Sequence, residues 1–444
     1  MKQRLCALLL AGSVVCALTG CGSIFEDEYT WSAPYVYNVG GESGDAMEIG
    51  NYNMLKSALL DLINRHEEHA VFRFSRYNGS VADDLAAAGL EIRTENPMGA
   101  YAVESIGFDT SRIVSYYTAD VSIRYKRTAE EIRGVVGISS ITELGNRLRE
   151  TVTDYGDGIV LRIYSPQVNE DSLAEMVDAL HFSDPVSVVT EPVTEIAAYP
   201  GEGANRIYEI RLDYGASAPL LRSMSRQLTT RIWELSETLS APSAPELALA
   251  CAETLNELLS SGSGIGAYGG TAYGALIERS ADSKGTALGY KALCDAAGIE
   301  CMVVRGNIGS MGAEEHFWNI IGLEEEYYHV DVSAFGDAPE NAFLLDDESL
   351  WGTYLWDAEA YPACTGGLRW SDVAPEAPPE ETPPPEETVS ETPPEETDAP
   401  AGTDAPEETE PPAETEAPPE ETDAPQETEV PAEEEPPPAE DTQN

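Results

Sequence analysis

The sequence predicts an α+β protein, and three observations support this fold class. Helices alternate with strands over residues 51–235 with short connections, an order typical of small α+β modules with mainly antiparallel sheets. Residues 240–370 then place a helix ahead of several strands. The end of the chain differs, because Ala374–Asn444 contains 25 Asp or Glu, 19 Pro and no Lys or Arg. That composition cannot bury a core, so this segment is predicted to be disordered.

The overall charge limits the partners that the protein can bind. The chain has 444 residues, 80 acidic and 25 basic, so its net charge is 25 − 80 = −55. A length of this size predicts two or three domains at about 150 residues each. Nucleic acid is excluded as a partner, because binding a polyanion requires clustered Lys and Arg. With the acidic end removed, the remainder still carries 25 − 55 = −30.

The N-terminus has the features of an export signal. Lys2 and Arg4 precede an apolar run, residues 5–18, that is shorter than the roughly 20 residues needed to cross a bilayer. The run ends in Leu-Thr-Gly-Cys at 18–21, which resembles the bacterial lipobox. That resemblance implies cleavage before Cys21 and lipidation of its thiol. We therefore expect a protein anchored to membrane lipid through Cys21 on the extracytoplasmic face of the cell membrane. An ordinary signal peptide with a chance Cys is the alternative.

Two units of similar order are predicted at residues 51–135 and 136–235. Each has a helix, a strand, a second helix and two further strands, and the second unit is expected to place strands at 186–190 and 206–214. Ser-Arg-Ile at 111–113 and Asn-Arg-Ile at 205–207 occupy matching places, which favours a duplicated α+β region. No catalytic set is evident here. The three histidines of this region are interpreted as solvated or capping residues: His66, His69 and His181.

Residues 240–372 contain the motifs that indicate chemistry. A helix at 245–259 and a Gly/Ser-rich loop lead to a second helix, whose apolar residues recur at 290, 293, 294 and 297 and which Gly298 is placed to end. Strands follow at 301–304, at His-Phe-Trp-Asn 316–319 and at 327–332. This order puts His316 and Asp331 on successive strands.

These motifs resemble those of the bacterial transglutaminase-like domain, part of the papain-like superfamily. His-x-Trp-Asn of that family matches residues 316–319, and Tyr-x-Val-Asp matches residues 328–331. The segments 343–348 and 356–362 fit the end of the domain. The resemblance implies a papain-like fold, a contact between His316 and Asp331, and a groove for peptide or cell-wall-type chains that Trp318 helps to shape.

The nucleophilic Cys of that family is absent from this chain. Alignment from both sides places Ser283 at its position, whereas alignment on Gly289-Tyr290 would place Ala287 there and shorten the helix. A thiol at a helix N-terminus beside an imidazole ionises near neutral pH, but a serine hydroxyl attacks only if His316 takes its proton. Ser283 is therefore interpreted as a helix cap in a catalytically degenerate, ligand-binding cleft. An active Ser283–His316–Asp331 amide hydrolase or acyltransferase is the alternative. The third is that the position of the family's Cys is misassigned or that the pocket has an unknown use.

No metal or cofactor site is predicted. Four cysteines follow Cys21 without the spacing of a metal site, and their disulfide pairing stays open: Cys251, Cys294, Cys301 and Cys364. Cys294 lies too far along its helix to replace a nucleophile at residue 283. The acidic cluster 346–348 lacks EF-hand spacing and is interpreted as a solvated turn. His329 is assigned no role.

The C-terminal tail repeats Pro-Glu-Glu-Thr five times, at 379–382, 385–388, 394–397, 406–409 and 419–422. Proline favours the extended polyproline II form and like charges repel, which predicts a stretched, disordered spacer. Contact with cationic wall components and glycosylation of its threonines are the alternatives. The predicted organisation is a leader at 1–20, an anchor and linker at 21–50, α+β units at 51–135 and 136–235, the transglutaminase-like domain at 240–372 and the tail at 373–444.

Overall fold

The computed structural model describes residues 46–262, 264–309, 314–336 and 338–374. The predicted leader, Cys21 and the tail from residue 375 onward lie outside the described residues. Within these ranges, helices and strands mix in an α+β architecture with three separate sheets. None of the helices described there is long and apolar enough to cross a membrane.

The first sheet belongs to residues 47–125. Its elements are β1 (Met47–Glu48), α1 (Tyr52–Arg65), β2 (His69–Phe74), α2 (Val81–Thr94), α3 (Pro97–Ala102), β3 (Val103–Ile113) and β4 (Tyr116–Tyr125). The strand order is β1-β2-β4-β3, with β1 parallel to β2 and the other pairs antiparallel. Asn51 caps α1 by accepting from the Met54 amide at 2.9 Å. The apolar face of this helix packs into the core under the sheet.

The second sheet repeats this topology. Helix α4 (Ala129–Arg133) precedes it and packs Ile132 into the core of the first sheet. The elements of the second sheet are β5 (Val136–Ile138), α5 (Ile141–Thr153), β6 (Gly158–Tyr164), α6 (Glu170–Ser183), β7 (Val193–Tyr199) and β8 (Asn205–Asp213). The order β5-β6-β8-β7 again begins with one parallel pair and continues antiparallel. The predicted strand at 186–190 is wrong. Asp184 accepts from the Ser187 amide through its side chain and from the Val188 amide through its carbonyl, so this segment turns instead of extending.

The histidines of these two units differ in environment. His66 ends α1 in the left-handed conformation with its ring stacked on Tyr125, and His69 is exposed. The prediction for His181 is wrong, because this side chain is buried in the fold and its Nδ1–H donates to the Val188 carbonyl at 2.9 Å. Burial lowers the pKa of His181 to about 4, so the ring is neutral at pH 7.

The third sheet and its helices occupy residues 218–373. The helices are α7 (Ala218–Thr238), α8 (Ala244–Ser260), α9 (Ser283–Ala297), α10 (Asp347–Leu350) and α11 (Trp370–Val373), with a π-helical turn at Gly274–Glu278. The strands are β9 (Glu300–Ile308), β10 (Glu314–Leu323), β11 (Glu326–Val330), β12 (Phe343–Leu345) and β13 (Tyr354–Leu355), ordered β12-β11-β10-β9-β13. Every pair in this sheet is antiparallel.

Helix α9 is the buried centre of this third region. It packs on β9 and β10 and is covered on its far side by α7 and α8. The second half of α7, from Leu228 to Leu235, contributes to this core, although the sequence placed it with the second unit. As predicted, Gly298 ends α9 with a left-handed backbone (φ +77°). In the part of the chain that the structure describes, the four cysteines are buried and free.

Candidate functional site

Ser283 lies at the first turn of α9. The residue that caps this helix is Asp282, whose carboxylate accepts from the Gly285 amide at 2.9 Å. The capping role expected of Ser283 is therefore wrong, because the helix cap falls one residue earlier. The Ser283 hydroxyl is only partly buried, and its oxygen accepts from the Phe317 amide at 3.4 Å. This contact places Ser283 beside the residue that follows His316 on β10.

His316 and Asp331 form a buried pair at the adjoining edge of the sheet. Strand β11 ends at Val330, and Asp331 then caps a short turn at Val332–Ala334. The Nε2 of His316 lies 2.7 Å from the Oδ2 of Asp331, so the predicted contact is confirmed. A carboxylate only accepts, which assigns the proton to Nε2 and leaves Nδ1 as the basic nitrogen of the neutral ring. Nδ1 makes no hydrogen bond within the described residues, and this atom is not fully buried.

The Asp331 carboxylate has a full set of donors. Besides His316, its Oδ2 accepts from the Tyr354 hydroxyl at 2.7 Å, and its Oδ1 accepts from the Ser333 hydroxyl at 2.6 Å. Burial raises the pKa of Asp331, but the hydrogen bond and electrostatic attraction to His316, with hydrogen bonds from Ser333 and Tyr354, outweigh it and hold that pKa below its usual value. Asp331 is thus an anion that fixes the orientation of the His316 ring. Sequence reasoning missed Ser333 and Tyr354, which belong to no motif quoted above.

Trp318 forms the inner wall of the site. Its side chain is 1% exposed, so it shapes the surroundings of His316 from behind and offers no surface to a ligand. The indole lies nearly parallel to the His316 ring, with centroids 6.1 Å apart and an interplanar angle of 23°. The Tyr354 ring meets it edge-on at 5.0 Å. Trp318 therefore supports both His316 and the tyrosine that binds Asp331.

A second histidine–aspartate pair lies behind Trp318. The indole Nε1–H donates to His329 Nδ1 at 3.0 Å, and His329 Nε2 lies 2.9 Å from Asp347 Oδ1. Burial lowers the pKa of His329 despite the nearby carboxylates, which favours the neutral ring. The interpretation of 346–348 as a solvated turn is wrong for Asp347, which also accepts from the Cys364 amide at 3.2 Å. Asp346 does cap α10, through the Ser349 amide.

The donor set of His329, Asp347 and Cys364 does not fit a metal ion. One ligand atom from each lies within 4.8 Å of the others. However, a metal on His329 Nε2 would move the ring proton to Nδ1, where it would face the N–H of Trp318. Burial also raises the pKa of the Cys364 thiol. These residues form a hydrogen-bonded chain that ends at Trp318.

The second unit closes one side of the site. Lys284, the neighbour of Ser283, forms an ion pair with Glu191 and lies over the rings of Phe182 and Phe317 at 5.2 and 5.8 Å. These two rings stack with centroids 6.0 Å apart. Residues from helix α6 and from the segment that follows it therefore contact Lys284 and Phe317, the neighbours of Ser283, a contribution that the motifs of residues 240–372 do not reveal.

Comparisons with known proteins give little further information. No family model and no curated protein matches the chain. A solved structure described as the crystal structure of a TGase is similar at 13% sequence identity and a TM-score of 0.19. The matched region covers 49% of this chain and 61% of that one. A likeness this weak carries no argument, so the assignment of function depends on the geometry around His316.

Proposed function

We propose that residues 240–372 form a transglutaminase-like domain with a catalytically degenerate cleft that binds peptide or cell-wall-type chains. The contact made by Ser283 is the observation that supports degeneracy. Its oxygen bonds to the Phe317 amide, and no hydrogen bond joins it to His316 among the described residues. The base that would activate the hydroxyl is therefore not engaged with it.

The chemistry of serine favours the same conclusion. A hydroxyl becomes a nucleophile only when a base within hydrogen-bond reach takes its proton during attack. A thiolate is already ionised and needs no proton transfer at the moment of attack. The His316–Asp331 pair has a reason to persist without catalysis, because each group is buried and removing one leaves the other without its partner.

An amide hydrolase or acyltransferase is the second candidate, with Ser283 as nucleophile, His316 as base and Asp331 as its orienting group. One observation favours it. His316 is anchored through Nε2, so its basic nitrogen is free, and Ser283 lies against the next residue of β10. Catalytic contacts in a protein without substrate are often long.

Covalent labelling distinguishes the two candidates. Residues 22–444 would be treated with a serine-directed fluorophosphonate, and adducts located by mass spectrometry. In parallel, Ser283→Cys would be alkylated with limiting iodoacetamide at pH 6. Degeneracy predicts no native adduct at Ser283 and fast alkylation of Ser283→Cys, since the thiol meets an intact imidazole.

Two controls define the result. Ser261→Cys places an ordinary exposed thiol at the end of α8 and should react slowly. A native Ser283 adduct that disappears in His316→Ala would establish the serine enzyme and reject degeneracy. Equal alkylation of Ser283→Cys and Ser261→Cys would reject both candidates, because no activating base would then act at residue 283.

We further propose that Cys21 anchors the protein to the outer face of the cell membrane. The support is the lipobox-like sequence 18–21 after a short apolar run. In a bacterial host fed an alkyne fatty acid, the wild type should be labelled and should sediment with membranes. Cys21→Ser should lose the label, whereas Cys16→Ser, a cysteine within the leader, should keep it. A label that survives Cys21→Ser would contradict the anchor.

A further inference from the structure

The two histidine–aspartate pairs of the third sheet are connected through one indole. His316 and Asp331 form the pair next to Phe317, whose amide bonds to Ser283, and His329 and Asp347 form the pair behind it. Trp318 lies between them, bonded to His329 at 3.0 Å and nearly parallel to the His316 ring. A displacement of this indole would therefore be transmitted to the group that the proposed function treats as the base.

In the chain of hydrogen bonds behind Trp318, the donor and the acceptor of each bond are fixed. An indole N–H can only donate, so His329 Nδ1 must accept and His329 Nε2 must donate to Asp347. Asp347 is itself held at the other end, because its Oδ2 accepts from the Cys364 amide and its own amide donates to the Cys364 carbonyl at 2.9 Å. Each polar atom of the His329 ring thus has a fixed partner.

The rest of the indole surface is closely packed. Gly306 lies opposite His316 in the β9–β10 ladder, and a Cβ at this position would come within 2.6 Å of the Trp318 ring. Tyr354 contacts the ring edge-on and donates to Asp331. The indole is therefore limited by packing on its faces, while its in-plane direction is set by the hydrogen bond to His329.

From this arrangement we propose that His329 is a positioning residue. Anchored by Asp347, it holds the Trp318 indole in the orientation against which His316 and Tyr354 pack. The expected consequence is indirect, because His329 does not contact Ser283 or the open nitrogen of His316. Only the arm of the test that measures reactivity at residue 283 rests on the proposed function.

The test compares two substitutions at residue 329 in the 22–444 chain. His329→Phe removes both ring nitrogens. His329→Gln keeps an acceptor oxygen for Trp318 and an amide donor for Asp347. Three quantities would be measured: hydrogen exchange of the Trp318 indole, assigned by its loss in Trp318→Phe; the NMR titration of His316; and iodoacetamide alkylation of the added Ser283→Cys thiol.

His329→Phe should speed exchange of the indole proton at least about tenfold and shift the His316 titration. It should also slow alkylation by about 10- to 100-fold, the size of effect that a displacement near 1 Å produces. His329→Gln should restore most of each value. His66→Phe, on the first unit, is the matched control and should change none of them.

A merely structural role gives a different pattern. If His329→Phe lowers the melting temperature while the His316 titration and alkylation rate stay at the wild-type values, the proposal is wrong. If His329→Phe fails to fold, Asp347→Asn is the deciding variant. We expect it to shift the His316 titration by a smaller amount. No shift in Asp347→Asn would contradict the positioning role. If Ser283→Cys is unreactive in an otherwise wild-type chain, the proposed cleft fails, while the His316 titration still tests the positioning role.

Discussion

Tyr354 and His316 bind the same oxygen of Asp331, each at 2.7 Å. One carboxylate oxygen thus joins β10, the end of β11 and β13. Tyr354→Phe removes only the hydroxyl and leaves a buried charge with one fewer donor. We expect a loss of about 1–3 kcal/mol in the free energy of unfolding, measured by chemical denaturation.

The matched control for this substitution is Tyr268→Phe. The Tyr268 hydroxyl has no hydrogen-bond partner among the residues that the structure describes, so its removal should change stability little. Equal losses for the two variants would mean that the Tyr354–Asp331 bond contributes nothing beyond the general effect of removing a phenol hydroxyl.

Gly306 should tolerate no side chain. A methyl group there would lie 2.3 Å from the Leu355 carbonyl oxygen and 2.6 Å from the Trp318 ring, so β13 or the indole must move. Gly306→Ala should cost about 1–3 kcal/mol, the usual range for overpacking, and should slow alkylation of Ser283→Cys. At Gly367 a Cβ meets nothing within 4 Å, so Gly367→Ala is the control. A Gly306→Ala protein with wild-type stability would show that the contact is easily relieved.

The parts that sequence reasoning predicted well are those governed by local signals. The apolar spacing of α9, its end at Gly298 and the placement of His316 and Asp331 on successive strands all follow from residues near one another, whereas the contact between His316 and Asp331 came from the family resemblance. Contacts across the chain were missed, such as Tyr354 with Asp331 and Asp347 with His329. Nothing in the periodicity of a strand specifies which distant polar group will satisfy a buried histidine, because that depends on how the segments pack.

The same distinction explains the wrong predictions. The segment 186–190 has strand-forming valines, but the Asp184 side chain bonds to its backbone and produces a turn. Ser283 has the chemistry of a cap, yet Asp282 precedes it and takes that position. In both cases the side chain of a neighbouring aspartate accepts from a backbone amide, and residue propensities alone did not predict this bond.

His181 should make stability depend on pH between about 4 and 6.5. Its pKa is lowered to about 4 in the fold by burial, against about 6.5 in an unfolded chain. Between these values the unfolded state binds more protons, so the free energy of unfolding falls as pH decreases from about 6.5 to 4. His181→Gln should remove up to about 1.4 kcal/mol per pH unit of this slope, measured by denaturation across the window.

The surface control for the His181 experiment is His69→Gln, which changes an exposed ring. It should leave the slope close to that of the wild type. An unchanged slope in His181→Gln would mean that the imidazole becomes protonated without unfolding the protein, contrary to the burial seen here.

Asp331 should change stability in the same direction as His181, but at lower pH. Its pKa is held below the usual value because the hydrogen bond and electrostatic attraction to His316, with hydrogen bonds from Ser333 and Tyr354, outweigh burial. A lowered carboxylate pKa contributes stability that is present above the unfolded value of about 3.9 and is lost as pH falls through the folded value. Asp331→Asn should therefore be less stable than the wild type at pH 7, and the difference should shrink below about pH 4.

The form of that pH dependence distinguishes the loss of the Asp331 charge from a change in side-chain packing. Asn keeps the size of the side chain but replaces one accepting oxygen with a donor, which would face the hydrogens of His316 and Tyr354 or of Ser333. A difference caused only by poor packing would stay constant with pH, whereas one caused by the lost anion must decrease in acid. Asp109→Asn, an exposed carboxylate on β3, controls for the loss of one surface charge. Denaturation at pH 7, 5 and 3 therefore tests whether the charge of Asp331, and with it the anchored orientation of His316, stabilises the fold.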